Sequence, residues 1–105
     1  MDGQMKKGVL EMCILSLISR DSLYGYEITK RIRSFFPDVN DSTIYGVLRR
    51  LRSDGSVEVF HGEESNGPVR KYYKITERGE TALSSALDSW LQLTEAVAAL
   101  CGGEK

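Results

Sequence analysis

The sequence predicts a mostly helical α+β domain in which three helices are followed by a two-stranded hairpin and a long C-terminal helix. Three observations predict this class. Apolar residues recur at three- and four-residue spacing through most of the chain, a Tyr/Lys/Arg strand follows an Asn66-Gly67 turn signal, and a heptad pattern occupies the last quarter. At 105 residues, the chain is long enough for one core and leaves little room for a catalytic cleft.

The first two helices are predicted from their apolar spacing and from the residues that stop them. One runs from Met5 to Ser19, and the next runs from Tyr24 to Phe36, where Pro37 ends it. The residues predicted to face the core are Val9, Leu10, Cys13, Ile14, Leu17 and Ile18 in the first helix, and Ile28, Ile32, Phe35 and Phe36 in the second.

The third helix is short and amphipathic. It starts near Ser42, reaches Leu51, and ends before Gly55, which suits the left-handed residue after a last turn. Any of the polar residues 40–42 can cap its N-terminus. Its predicted inward face is Ile44, Val47, Leu48 and Leu51, and its outward face is Thr43, Tyr45, Gly46, Arg49, Arg50 and Arg52. Two short helices joined by a four- or five-residue turn fit a helix-turn-helix, although a solvated face also commonly carries arginines.

The hairpin follows directly, which is the chain order of a winged helix-turn-helix. Its strands are predicted at Val57–His61 and Val69–Ile75, with one face of the second strand formed by Val69, Lys71, Tyr73 and Ile75 and the other by Arg70, Tyr72 and Lys74. We expect Arg70 and Lys71 to contact DNA phosphates, and Tyr73 and Ile75 to hold the strand to the core. Glu63 and Glu64 near the tip would repel phosphate and fit a plain solvated hairpin better.

The last helix is predicted from Glu77 to Leu100, with Thr76 as its cap. It carries a heptad seam of Leu83, Leu87, Trp90, Thr94, Val97 and Cys101, beside a stripe of Ala86, Leu93 and Leu100. At about 36 Å it overhangs a small domain, so its surplus apolar surface is expected to pack on a second copy. An intramolecular core helix is the alternative. The predicted dimer interface is Leu83, Leu87, Trp90, Leu91, Thr94 and Val97.

Charge and composition further reduce the classes of function that the chain is expected to have. The net charge is −1, but residues 24–78 carry ten Lys and Arg against eight Asp and Glu, while the C-terminal quarter is acidic. The one histidine, His61, has no HExxH or similar partner, so we expect no enzyme activity, no metal and no cofactor. Cys13 and Cys101 form no CxxC pair, and no signal peptide or membrane span is recognised, which together predict a reduced, cytoplasmic chain.

Three motifs make the chain resemble the PadR family of bacterial transcriptional regulators. They are Leu23–Ile28 at the second helix, Thr43–Leu51 in the third, and Gly67–Gly79 from the wing into the last helix. The resemblance implies a winged helix-turn-helix over residues 5–76, with a dimerisation helix over 77–101 packed on the same domain. It further implies a homodimer that binds a near-palindromic double-stranded operator and usually represses.

The same resemblance assigns roles by position. The implied DNA-binding residues are Tyr24, Tyr26, Lys30, Ser42, Thr43, Tyr45, Gly46, Arg49, Arg70 and Lys71. Gly46 departs from the family, which commonly has proline there, and glycine loosens the first turn that proline would preorganise.

Trp90 lies on the predicted heptad seam, where it either anchors the dimer or flanks a planar apolar effector. A winged helix that binds another protein and has no DNA role is the remaining alternative.

Overall fold

The structure, a computed structural model, describes residues 3–62 and 70–102, with side chains from residue 7 onward. Its elements in chain order are α1 (Gly3–Arg20), β1 (Leu23–Tyr24), α2 (Gly25–Phe35), α3 (Asp41–Ser53), β2 (Val57–Gly62), β3 (Arg70–Ile75) and α4 (Glu77–Cys101). The predicted mostly helical α+β class is therefore confirmed. The predicted Asn66-Gly67 turn, together with Glu63, Glu64 and Val69, lies outside the described residues.

The described part of the chain holds a three-stranded antiparallel sheet in the order β1-β3-β2, so β3 is central. Across β2 and β3, Val57 pairs with Ile75 and Gly62 pairs with Arg70. The two-residue strand β1 was not predicted, because Leu23 and Tyr24 are too short a run to show any alternation. The predicted two-stranded wing thus has a third strand, which joins it to the start of α2.

The core fills the space between α1, α2, α3 and the inner face of the sheet. Its fully buried side chains are Leu10, Ile14, Ile18, Ile28, Ile44 and Leu48. Tyr73 and Ile75 of β3 are also buried, as predicted, and anchor the wing to the helices. The prediction for Phe35 is wrong, because this residue is 80% exposed, whereas Phe36, which was also predicted to face inward, is half-buried. Phe35 is the last residue of α2, one turn beyond Ile32 and at the edge of the apolar stripe.

Two side-chain caps determine where α3 and α4 begin. Asn40 caps α3, because its Oδ1 accepts a hydrogen bond from the Thr43 N–H at 3.0 Å. Thr76 caps α4 as predicted, and its Oγ1 accepts from the Gly79 N–H at 3.0 Å. Gly55 has a φ of 85°, the left-handed conformation predicted after the last turn of α3.

The start of β2 and the start of α4 are joined by a compact junction. The Thr76 N–H donates to the Ser56 carbonyl oxygen at 3.0 Å, and the Thr76 hydroxyl donates to the Gly55 carbonyl oxygen at 2.6 Å. A Cβ built on Gly79 would lie 2.8 Å from Ile75 Cγ1 and closer still to the Ser56 carbonyl oxygen. A side chain at position 79 would therefore push α4 off the sheet.

Only the first part of α4 is buried within the chain. Gly79 and Leu83 are its buried residues, and from Leu87 onward its large apolar side chains are exposed. The helix has 25 residues and is about 37 Å long, while the molecule measures 61 × 29 × 20 Å. Within the described ranges, no helix is both long and apolar enough to cross a lipid bilayer.

Candidate nucleic-acid interface

The N-terminus of α3 carries two exposed hydroxyl residues that share one acceptor. Ser42 Oγ and Thr43 Oγ1 donate to Asn40 Oδ1 at 2.8 Å and 2.9 Å. Each hydroxyl hydrogen is thereby engaged, while the oxygen lone pairs can still accept hydrogen bonds. The first turn of α3 thus presents two oriented acceptors at the position where recognition helices contact base edges.

Tyr45 lies deeper than the outward face predicted for it. Its side chain is half-buried and packs against the core, and its hydroxyl faces Gly25, where a built Cβ would approach it to 2.7 Å. Burial raises the pKa of the Tyr45 phenol, and the ionised form of Tyr73 and the Asp41 carboxylate raise it further. Tyr45 therefore links α3 to the start of α2, and only part of its ring is accessible from outside.

The arginines of α3 separate into two groups. Arg49 and Arg52 are exposed and lie close enough to Tyr73 to lower its pKa, against the larger effect of burial, which raises it. Arg50 instead forms an ion pair with Glu11 of α1 and is only half-exposed. Its predicted place on the outward face is wrong, because on a helix of 3.6 residues per turn it falls on the edge beside α1.

Gly46 of α3 has room for a side chain. A Cβ built there would lie 3.8 Å from Arg49 Nη2, which is an ordinary van der Waals contact.

The start of α2 presents an aromatic and a basic side chain on one face. Tyr26 is 60% exposed and Lys30, one turn later, is also exposed. Tyr24 is the N-cap residue and is half-buried, and its backbone N–H donates to Glu27 Oε1 at 3.1 Å. Among the predicted backbone-contacting residues of α2, Tyr26 and Lys30 are thus accessible and Tyr24 is accessible in part.

The outer face of the sheet carries a row of aromatic rings that the sequence did not reveal. Tyr24, Tyr72 and Phe60 lie opposite one another on the three strands. The Phe60 and Tyr72 rings are stacked with centroids 5.4 Å apart, and the Tyr24 and Tyr72 rings meet edge to face at 5.7 Å. Alternation within one strand cannot show this row, because it depends on the register between strands.

The two basic residues predicted for the wing start β3 and face opposite sides of the sheet. Arg70 is exposed, and its guanidinium carbon lies 4.5 Å above the centroid of the Tyr24 ring. Lys71 is exposed, with its ammonium 5.8 Å from the centroid of the Tyr73 ring. Residues Tyr24–Tyr26 are accordingly the point where α3 and β3 meet α2, through Tyr45 on one side and Arg70 on the other.

The residues predicted for a dimer interface divide between core and surface. Leu83 belongs to the hydrophobic core of the chain, and Thr94 is half-buried. Leu87, Trp90, Leu91 and Val97 are exposed, Leu91 to 57% and Trp90 to 39%. Trp90 also lines an open apolar cavity of about 350 Å³ between α1 and α4, with Val9, Met12, Ala86 and Leu93. A second cavity of about 330 Å³ adjoins Leu87 and is lined by Met12, Cys13, Leu17, Phe35 and Phe36.

Potential metal ligands are dispersed in the described ranges. Among residues 3–62 and 70–102, no group of three or more His, Cys, Asp or Glu side chains lies close enough together to hold a metal ion. His61 is exposed at the end of β2, and Glu63 lies outside the described residues. Burial raises the pKa of the Cys13 thiol, which favours its neutral form.

Known proteins are similar to this chain in both sequence and fold. Residues 14–85 match the "Transcriptional regulator PadR-like family". The chain is similar to an uncharacterized protein of Lysinibacillus sphaericus, with 35% identity over 96 residues that make up 87% of this chain and 86% of that protein.

Crystal structures extend the likeness to the whole fold. A PadR-like transcriptional regulator from Bacillus cereus is 39% identical, with a TM-score of 0.86 over 97% of this chain and 100% of that one. A Streptococcus transcriptional regulator is 31% identical, also with a TM-score of 0.86, over 94% and 98% of the two chains. The chain belongs to the PadR-like family of transcriptional regulators, whose members are DNA-binding regulators rather than enzymes.

Proposed function

We propose that the protein is a homodimeric, sequence-specific regulator that represses transcription from a near-palindromic operator in the cytoplasm. The observation that carries the proposal is the convergence of three elements at Tyr24–Tyr26, where α3 contacts α2 through Tyr45 and β3 contacts it through Arg70. A recognition helix and a wing held against one rigid segment can engage a major groove and its flanking phosphates together.

Each protomer contributes one half of the DNA contact. The start of α3, with Ser42, Thr43 and the accessible part of Tyr45, enters the major groove, and Gly46 and Arg49 follow along the same helix. Tyr26, Lys30, Arg70 and Lys71 bind the phosphates on either side. A two-fold dimer presents two such units about one helical turn, roughly 34 Å, apart, which is the reason for a palindromic site.

Dimerisation through α4 is supported by the apolar surface that its own protomer leaves uncovered. Leu87, Trp90, Leu91 and Val97 are exposed, and the two apolar cavities beside them adjoin α1. Large adjoining apolar patches on a folded chain mark surfaces that another chain covers. Sedimentation of the full-length chain at micromolar concentration is expected to give a dimer, and a monomer would contradict this part of the proposal.

Footprinting on the DNA upstream of the chain's own gene tests the central proposal. Tyr45→Ala is expected to weaken specific binding more than non-specific binding. Arg70→Ala is expected to weaken both and to lower the salt slope by about one unit. Operator binding unchanged in both variants would refute these contacts. Absence of any duplex binding at low salt would favour a winged helix that binds another protein.

We further propose that a planar apolar effector binds beside Trp90 and releases the operator. Trp90 is part of an apolar cavity, and a ring stacked there would contact α1 and α4 at once. Titration with planar aromatic compounds is expected to quench Trp90 fluorescence and to release the operator. If no compound quenches Trp90 fluorescence or releases the operator, Trp90 serves only as a packing anchor.

A further inference from the structure

The guanidinium of Arg70 rests on the ring of Tyr24, at the point where the wing meets the start of α2. The distance from the guanidinium carbon to the ring centroid is 4.5 Å, well within the range of a cation–π contact. Arg70 is exposed and Tyr24 is half-buried. The ring therefore covers one side of the cation and leaves the remainder accessible.

The Tyr24 ring is itself held from several sides. Tyr24 pairs with Tyr72 across β1 and β3, and its backbone N–H donates to Glu27 Oε1 at 3.1 Å. Its ring meets the Tyr72 ring edge to face, and Tyr72 stacks in turn on Phe60. On the far strand, Gly62 has no space for a Cβ, because the Tyr72 ring occupies it. The platform under Arg70 is thus built from all three strands.

This geometry suits an arginine that must bind a second group. The five guanidinium N–H donors lie in the plane of the group, so an aromatic ring beneath its face leaves them free for phosphate oxygens. Ordering a long side chain before binding also removes part of the entropy cost that binding would otherwise carry. Lys71 makes a longer contact of this kind: its ammonium is 5.8 Å from the centroid of Tyr73, near the outer limit of a cation–π contact, and that ring belongs to the buried core.

We propose that Tyr24 is a positioning residue that holds the Arg70 guanidinium in the orientation in which it binds a DNA phosphate. The inference rests on the proposed DNA-binding function. In this role Tyr24 acts through Arg70 and need not contact DNA itself, which separates it from the phosphate-contacting role that the family resemblance implies.

A double-mutant cycle on operator affinity tests this dependence. Tyr24→Leu removes the ring and keeps an apolar side chain, and is expected to weaken binding about two- to fivefold, the change that corresponds to an exposed cation–π contact. Tyr24→Phe keeps the ring and is expected to retain nearly the wild-type affinity. In an Arg70→Ala background, Tyr24→Leu is expected to have no further effect. In a Lys71→Ala background, which serves as the matched control, it is expected to keep its full effect.

Each contrary result has a distinct meaning. If Tyr24→Leu weakens binding equally with and without Arg70, Tyr24 acts independently and the positioning role is overturned while DNA binding stands. If the wild-type protein binds no duplex DNA, both proposals fall.

Ring-current NMR shifts give a readout that needs neither DNA nor the leucine variant. The Arg70 δ-protons are expected to be shifted upfield in the wild-type protein and in Tyr24→Phe. Unshifted Arg70 δ-protons would overturn the contact itself.

Discussion

Gly79→Ala tests the junction that attaches α4 to the wing. A methyl group at position 79 would lie 2.8 Å from Ile75 Cγ1 and 3.0 Å from the Ser56 carbonyl carbon, with the Ser56 carbonyl oxygen nearer than either. Two of these atoms belong to the backbone, so the strain cannot be relieved by turning a flexible side chain. The Ser56 carbonyl also accepts from the Thr76 N–H at 3.0 Å, and moving it weakens that hydrogen bond.

The expected loss follows from three contributions. Forcing a methyl group into a closely packed site costs about 1–3 kcal/mol, and a weakened hydrogen bond adds about 0.5–1.5 kcal/mol. Replacing glycine by alanine in a helix returns at most about 1 kcal/mol. With the full return from alanine subtracted, we expect Gly79→Ala to lower the free energy of unfolding by about 0.5–3.5 kcal/mol.

Urea unfolding followed by circular dichroism at a fixed protein concentration measures this loss. Gly46→Ala is the matched control, because it is also in a helix and its built Cβ has only an ordinary 3.8 Å contact with Arg49. It is expected to be as stable as the wild type or up to about 1 kcal/mol more stable. A Gly79→Ala protein as stable as Gly46→Ala would refute the account of the junction.

Three further predictions follow from the caps, the buried phenol and the exposed helix. Asn40→Ala removes the α3 cap and should cost about 1 kcal/mol of stability by the same urea assay, whereas an unchanged midpoint would mean that the cap contributes nothing. Burial raises the folded-state pKa of Tyr73 above its unfolded value near 10, so its contribution to stability is present below that pH and is lost as pH rises through the folded pKa. Tyr73→Phe should therefore lose less stability above pH 10 than the wild type. Equal losses in the two proteins would show that ionisation of Tyr73 does not cause the loss of stability at high pH. Leu91→Asp places a charge among the exposed apolar side chains of α4 and should shift the sedimenting species from dimer to monomer. Glu95→Asp, on the same helix, preserves the charge and is the control.

Much of the fold could be predicted because its signals are local. The apolar spacing of α3 predicts its buried face, Ile44, Val47, Leu48 and Leu51, and all four are buried. Thr76 marks the start of α4 by capping it, and Gly55 marks the end of α3 by its left-handed conformation; both effects are confined to one helical turn. The β2–β3 pair was also predicted from local signals, the Asn66-Gly67 turn signal and the alternating pattern of the second strand.

For the candidate site, the sequence names residues but does not show how they are arranged in space. The sequence placed Tyr45 on the outward face, yet its hydroxyl lies against Gly25, because the face of a helix does not show how closely its neighbour approaches. Arg50 looked equivalent to Arg49, yet it pairs with Glu11, which is 39 residues away in the chain.

By itself, the sequence determined the helices, the wing, the core stripes and an apolar α4 longer than its domain needs. These depend on periodicity and caps, which act over a few residues and can be recognised in one dimension. Only the tertiary structure decided that β1 joins the sheet, that Phe35 is exposed, and that Arg70 lies over Tyr24. These depend on strand register and on the approach of distant segments, where a shift of one residue moves every side chain to the opposite face.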